Sequence, residues 1–414
     1  MTTTIMVGYS LAALNSLQSL RPDGTVILVE EPDVLRKREI RKMQNRYSVL
    51  REIVALEYQR DGAADAFYVE RRELNPVSIT PIVEYATPFA ARLAERYNRP
   101  GSGYGASLLL RNKDQLRLVT RAAGIRNPRW RLVDTIEEAE AFLAFLDETV
   151  ILKPANRQGS IGTVIVGKQD DFAAAWAFSQ QRDEGVFVPD RGLETRTLLE
   201  EFIAGPEYSV EALVQGGAIL FANVTEKRLF EGATPVESGH IVPATAPAAT
   251  QDKLVAATGR VLEATGFCSG IVHCEWRWNA NDPVLIECAG RFAGDGIIEL
   301  IQLAYGFDIV GSFHALMRGE PLEDLPTSAT RAASVCFLGG VDGIVSDVRV
   351  DEAGINAIGG LRHFDMSAAV GQSTRRPRSS WDRLGSVTTI GGSPEEAYDR
   401  ARLGVSRMVI EYER

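Results

Sequence analysis

A lysine stands ahead of a glycine-bearing loop in "ILKPANRQGSIG", Ile151 to Gly162. The run reads as a short apolar strand, a lysine, and then small and polar residues closed by glycines. Loops of that composition bare backbone amides that can cradle phosphate oxygens. A P-loop, however, carries its lysine after the glycines, whereas Lys153 precedes them here. The chemistry implied is phosphate binding with a lysine supplied by a strand.

The second chemical signal is a pair of glutamates in "IVHCEWRWNANDPVLIECAG". "NANDP" is turn chemistry, centred near Asn281, between two strand-like runs. Strands paired about that centre bring Glu275 and Glu287 opposite each other, because the two are equidistant from it. Alternation then puts both on one face. Facing carboxylates have Cβ atoms roughly 5 Å apart and repel unless something positive lies between them. Mg²⁺ is one solution, since it binds through one or two carboxylates together with substrate phosphates. The alternatives are a solvent-facing pair, or a register slipped by one residue that sends one glutamate to the other face.

The elements that must position these groups can be read outward from them. "TIMVGYSLAALNSL" followed by "GTVILVEEPDV" reads strand, helix, strand, the opening of a parallel α/β unit. Gly8 is a lone turn glycine, far short of a GxGxxG fingerprint. Charged, helix-prone sequence fills Val34 to Arg60; "DAFYVE" reads as a strand and "TPIVEYATPFAARLAERYN" as one long helix. "NRPGSG", Asn98 to Gly103, marks the first boundary. Beyond it, "LLLRNKDQLRLVTRAAGIRNP" is predicted as one amphipathic helix stopped by Gly124 and Pro128. "RWRLV" reads as a strand, "TIEEAEAFLAFL" as a helix capped by Thr135, and "TVILKPA" as the strand that carries Lys153. Strands dominate from Leu198, with "QDKLVAATGRVLEATGF" and "DGIIELIQLAYGFDIVGSFHALMRG" as helices. After Glu320 a Pro-rich joint leads to a small strand-rich region closed by one helix, and "STRRPRSS" within it reads as a solvated basic loop.

Composition bounds the function. The chain has 414 residues, enough for two to four domains, and 45% hydrophobic with 24% charged residues fits a globular protein with a real core. The formal net charge of −10 opposes general binding to nucleic acid or an anionic membrane, while leaving room for a local basic pocket. The four cysteines form no CxxC pair, and Cys274, Cys288 and Cys336 read as small buried hydrophobes. "MTTTIMVGYSLAALNSL" lacks the basic start of a signal peptide, and no window approaches a membrane span, so a cytoplasmic location is expected.

Taken in order, four blocks resemble the ATP-grasp superfamily, from about Pro100 to Gly319 and more loosely to both ends: "NKDQLR" with "AGIRNP", "ILKPANRQGSIG", "LLEEFIAGPEYSVEAL" and "VLIECAGRFAGDGI". The resemblance implies an N-terminal parallel α/β domain (1–100), two α+β lobes with ATP between antiparallel sheets (101–190 and 191–319), and a small strand-rich C-terminal domain (320–414). It also implies roles. Lys153 and Lys113 would contact ATP, and the loop with Gly159, Ser160 and Gly162 would fold over the β- and γ-phosphates. Glu200 would accept from the adenine amino group, Glu201 and Ile203 would use their backbone at the adenine edge, and Glu207 would take the ribose hydroxyls. Glu275 and Glu287 match the magnesium ligands, with Mn²⁺ as an alternative ion. The sequence departs where many members have Glu-x-Asn: Ala289 stands in place of the asparagine and cannot ligate.

Within the superfamily, "ECAGRFAGDGIIELIQLAYGFDIV" and "PVESGHIVPA" are most similar to the L-amino acid ligases and related carboxylate–amine ligases. That similarity implies Glu237 at a substrate ammonium, His240 beside the reacting carbonyl, and Arg291 on a substrate carboxylate or the acyl-phosphate oxygens. Lys227 and Arg228 would line the same loop, and His273 reads as a satisfied core histidine. The implied reaction joins two amino acids or amino-acid-like molecules through an acyl phosphate, releasing ADP and phosphate, with no protein nucleophile. A carboxylase or purine-type ligase, and a nucleotide-binding module without turnover, are the alternatives. Partners would be small-molecule amino-acid substrates, without nucleic acid or membrane. Homodimerisation through the N-terminal domain is left open.

Overall fold

The computed structural model describes residues 2–146, 148–180, 184–192 and 196–413. The chain begins with a four-stranded parallel sheet in the order Leu50–Ala55, Val26–Glu30, Thr4–Val7, Ser78–Pro81. Strand alternation divides its apolar residues between two layers. Ile5, Val7, Ile27 and Val29 pack with Phe67 and Phe89 on one side, and Met6, Val26 and Leu28 pack with Leu14 and Leu17 on the other. Burial on both faces explains why these strands read as continuous apolar runs.

Three sequence expectations fail here, each for a local reason. "DAFYVE" is helical, within Ala63–Glu70, because Ala64 and Phe67 bury one face and Asp65 ion-pairs with Arg92 and Arg96 on the next helix. The third strand, Leu50–Ala55, falls in the supposedly helix-prone stretch; as an edge strand it exposes Arg51 while burying Leu50 and Ile53. "TPIVEY" divides, with Thr80 and Pro81 ending a strand and the helix starting only at Thr87.

The predicted single helix after Gly103 is two helices, Tyr104–Arg111 and Lys113–Ala122. Asn112 breaks it: its side chain accepts from the amides of Asp114 and Gln115, capping the second helix. The break leaves the Lys113 amide to donate to Ala155 O (3.1 Å), which fixes this lysine beside the glycine loop.

A four-stranded antiparallel sheet follows, ordered Trp130–Val133, Thr197–Glu201, Val150–Pro154, Val164–Val166. Ile136–Leu146, with the Thr135 hydroxyl accepting from the Glu138 amide, and Phe172–Ser179 supply its helical layer. Thr197–Glu201 thus sits in this first lobe, although its sequence position lies beyond 191.

The largest sheet has eight antiparallel strands: Asp282–Ala289, Gly270–Asn279, Glu207–Gln215, Ala218–Leu229, Glu237–Val242, Ala332–Gly339, Arg383–Gly391 and Leu361–Met366. The last three come from beyond residue 320, so the C-terminal residues extend the large-lobe sheet and also form a separate three-stranded one of Ser373–Thr374, Gly343–Val350 and Met408–Tyr412. Ala248–Thr265 packs on one face through Leu254, Val261 and Leu262. Ile297–Tyr305 and Ile309–Met317, bent by 105° to each other, cover part of the other face. Among the described residues no single helix is long and apolar enough to cross a membrane. The α/β and α+β architecture expected from the sequence is the one found.

Candidate active site

The glycine-loop lobe and the large sheet face each other across a cleft lined by Lys153, Glu200, Glu207, Glu237, Glu275 and Glu287, among others. The sequence fixes each contributor by register. Lys153 ends the strand Val150–Pro154 and points into the cleft with its ammonium 2.5 Å from Glu200. Glu200 is fully buried and also takes the Arg117 Nε at 2.9 Å. Burial alone would push the Glu200 carboxyl up, but Arg117 and Lys153 outweigh it and hold it below the ordinary carboxylate range. Burial in turn lowers the Lys153 pKa against the opposing pull of Glu200. Lys113 donates to Arg157 O at 2.8 Å and lies 3.1 Å from Glu287.

The glycine loop passes through the left-handed region at Gly159 (φ 66°), Ser160 (φ 59°) and Gly162 (φ 63°). Ser160 Oγ donates to Pro235 O at 3.1 Å, so the loop leans on the large lobe. A Cβ at Gly159 would meet the Trp381 ring at 2.8 Å. Both Gly159 and Ser160 line the cleft, whereas Gly162 is not among its lining residues. Glu201 and Ile203 form the far wall, where the Glu201 side chain takes Arg129 Nε at 2.9 Å.

Glu275 and Glu287 are cross-strand partners. The route to that register differs from the expectation, because the turn is Ala280–Asn281 (φ 51° and 60°) with Asn279 facing Asp282. Strict pairing from this turn would slip the glutamates by one. A bulge between Glu275 and Trp276 restores them to one row. Positive charge does lie beside each. Glu275 takes Lys227 Nζ at 2.6 Å and His273 Nε2 at 3.1 Å, and Glu287 takes Lys113. Burial opposes ionisation of Glu275, but Lys227, followed by His273, holds it well below its usual range.

Lys227 is the hub that sequence reasoning left at the margin. Its ammonium also lies 3.0 Å from both Glu207 and Glu237. Against the cost of burial, Glu275, Glu207 and Glu237 raise its pKa well above the ordinary lysine value. Oxygens of these three glutamates all come within 4.8 Å of one another, a spacing that would suit a metal ion, and the ammonium stands among them. Glu207 is shared further with Arg277 Nη2 at 2.7 Å. Arg228, expected beside Lys227, alternates to the other face, where it packs over Tyr398. His273 is both a satisfied histidine, bonded to Glu211 Oε1 at 2.8 Å, and a wall of the cleft. Burial would lower its pKa, yet hydrogen bonds to Glu211 and Glu275 raise it to about 9. It stands directly across from Ala289, the position without a ligating side chain.

Glu237 lines the cleft and His240 does not. Residues three apart on a strand face opposite ways, but Ser238 is an extra residue in the pairing with Ala218–Leu229, so Leu229 faces Glu237 while Lys227 faces His240. The bulge brings both to the cleft side of the sheet. His240 is fully buried, with Nε2 3.3 Å from Asp295 Oδ2. His240, expected beside the reacting carbonyl, is therefore not among the residues that line the cleft. Arg291 is held by a residue no motif marked: Glu84, buried in the N-terminal domain, takes its Nε at 2.7 Å and Arg111 Nη1 at 3.2 Å.

The donors fit a hard divalent cation. Glu275 and Glu287 bring carboxylate oxygens to one row; Lys227 and His273 meet Oε1 of Glu275, and Lys113 meets Oε2 of Glu287.

Two segments of the chain match known families. Residues 146–299 match an ATP-grasp domain, and residues 337–413 match the L-amino acid ligase C-terminal domain 2. An alanine–anticapsin ligase of Bacillus subtilis (strain 168) is 28% identical over 236 residues, covering 53% of this chain and 49% of that protein. The chain spans between about half and 63% of the length of the curated relatives it matches first. The crystal structure of an L-amino acid ligase from Bacillus licheniformis superposes over 100% of this chain and 99% of its own, with a TM-score of 0.78 and 20% identity. The biotin carboxylase domain of a Hydrogenobacter thermophilus 2-oxoglutarate carboxylase, in complex with MgADP and bicarbonate, covers 100% of this chain and 91% of its own at a TM-score of 0.66 and 15% identity.

Proposed function

We propose that this chain, which carries an ATP-grasp domain followed by an L-amino acid ligase C-terminal domain, joins two amino acids or amino-acid-like molecules at the expense of ATP. The observation that carries the reading is one cleft holding both halves of the chemistry. The strand lysine Lys153, the helix-start lysine Lys113 and a glycine loop stand on one side, and opposed glutamates with an acid-lined pocket at Glu237 stand on the other.

ATP would enter between the two sheets. Lys153 and Lys113 would meet phosphate oxygens, each drawn from the carboxylate that now holds it, and the loop amides around Gly159 and Ser160 would cover the transferring group. Glu201 and Ile203 would border the adenine, with Glu200 behind it and Glu207 toward the ribose. Mg²⁺ (or Mn²⁺) held by Glu275 and Glu287 would neutralise charge on the phosphates when bound. Glu237 would take a substrate ammonium, and Arg291, aligned by Glu84, would face the carboxylate that attacks the γ-phosphate. The acyl phosphate formed is labile in water, so the contact of the glycine loop with the large lobe serves to exclude solvent. An amine then displaces phosphate and an amide remains.

The test is a screen of amino-acid pairs that reads ADP and phosphate release and identifies products by mass spectrometry. Stoichiometric ADP, phosphate and a condensed product are expected for at least one pair. Nucleotide binding without turnover across all pairs would overturn the reading.

A further inference from the structure

Among the described residues, six side-chain nitrogen or oxygen atoms are buried without a hydrogen-bond partner, and three of them fall in one cluster: Glu237 Oε2, His240 Nδ1 and Arg383 Nη1. Buried polar atoms are rarely left unmatched unless something else completes them. Glu237 and His240 share the cleft side of the sheet through the Ser238 bulge. Arg383 comes from beyond the ATP-grasp match, at the start of the strand Arg383–Gly391. Asp295 ties it to the histidine, taking Arg383 Nη2 at 2.8 Å on one oxygen and His240 Nε2 at 3.3 Å on the other. The Arg383 guanidinium is otherwise clamped. Its Nε donates to Ser380 O at 2.9 Å and its plane lies 4.0 Å from the Phe337 ring centroid. Two of its nitrogens are spoken for, its side chain is 7% exposed, and only Nη1 remains.

We propose that Arg383 binds the carboxylate of the second, nucleophilic amino acid, an inference that deepens the ligase reading and rests on it. Of the three residues with unmet atoms, His240 connects the other two, standing three residues from Glu237 along one strand and sharing Asp295 with Arg383. An amino-acid ligation sets the ammonium of the first substrate and the carboxylate of the second on either side of the reacting centre, and Glu237 and Arg383 are joined through the His240–Asp295 pair in the same way. Nη1 is a fixed donor that no protein carboxylate completes, and a substrate carboxylate is the acceptor matching a guanidinium. Asp295 is a positioning residue here, since it holds Arg383 and His240 at a set separation. The C-terminal domain thereby reads the free carboxylate of the incoming nucleophile.

The experiment compares the intact chain with its Arg383→Met and Arg383→Lys variants. Three readouts are needed: KM for the second amino acid, KM for its carboxamide, and hydroxamate formation from the first amino acid with hydroxylamine replacing the nucleophile. The unsubstituted chain is expected to prefer the free acid over the amide by about tenfold or more, the scale of a hydrogen bond to a charged group. Arg383→Met should raise KM for the acid by a similar factor, erase the preference, and leave hydroxamate formation within about twofold; Arg383→Lys should restore part of the preference. Retention of the acid preference in Arg383→Met, or loss of hydroxamate formation along with it, overturns the inference. Absence of hydroxamate and ADP from the unsubstituted chain with every amino acid would instead sink the ligase reading beneath it.

Discussion

Replacing Lys227 with methionine would test the electrostatic design of the cleft. The ammonium is buried and touches Glu275 at 2.6 Å and Glu207 and Glu237 at 3.0 Å. At an effective dielectric near 20, each contact of about 3 Å is worth roughly 5 kcal/mol of gross attraction. Desolvating the four ions costs several kcal/mol apiece, so most of that sum cancels. Removing one member leaves buried charge unmatched, and the expected net loss is about 3–5 kcal/mol. Methionine keeps the unbranched stem of the side chain and deletes the ammonium with its charge. Three carboxylates within 4.8 Å would then lack their resident cation and should recruit one from solution. Denaturant titration should show the loss in the absence of divalent ions, and millimolar Mg²⁺ or Ca²⁺ should recover part of it, while the unsubstituted chain without nucleotide responds far less. A Lys227→Met protein that is as stable as its parent and indifferent to divalent ions would refute the reasoning.

Further outcomes follow from other contacts. Glu84→Gln leaves Arg291 and Arg111 without their shared carboxylate, which burial alone would raise but which the two arginines hold ionised; KM for the first amino acid should rise about tenfold or more, with KM for ATP little changed in steady-state kinetics. Gly159→Ala combines a left-handed φ of 66° with a Cβ 2.8 Å from the Trp381 ring, so KM for ATP should rise, and Trp381→Ala in the same chain should reverse the steric part but not the backbone cost of about 1–2 kcal/mol. His314 is buried, and burial, followed by Arg318 and Arg21, lowers its pKa to about 4 from 6.5. The unfolded chain therefore binds the proton first. The contribution of His314 to stability is complete above about pH 6.5 and drains away as pH falls toward 4, by about 3 kcal/mol in all. Thermal melts of His314→Asn across that window should show a flatter acid limb than the parent.

The cleft was legible in the sequence where one strand or loop carries its own signal. Lys153 ahead of the glycines, the glutamates of the hairpin and the "EEFIAGPE" run all declared themselves, because local alternation fixes which side chains share a face. Even there, agreement rested on compensation: the Glu275–Glu287 row depends on a bulge that no residue type announced. Glu237 and His240 likewise share a side only through an extra residue at Ser238. What stayed hidden is tertiary. Glu84, Asp295 and Arg383 come from three separate segments, and an acidic or basic residue in a loop has the same sequence appearance whether it is solvated or buried against a partner. The misread helix at Ala63–Glu70 and strand at Leu50–Ala55 show propensity yielding to burial: aromatic residues favour strands in general, yet the burial of Ala64 and Phe67 follows a helical period. The sheet that runs unbroken past residue 320 could not be inferred from composition, since strand partners are set by packing and not by order along the chain.

The most direct test of the ATP-dependent ligation follows oxygen. The first amino acid, labelled with ¹⁸O in its carboxylate, is turned over with ATP, Mg²⁺ and a second amino acid, and the released phosphate is analysed by mass. Attack of the carboxylate on the γ-phosphate, followed by cleavage of the C–O bond by the amine, must leave one labelled oxygen in each phosphate beside ADP. Unlabelled phosphate, or AMP as the nucleotide product, would contradict the route assigned to this cleft.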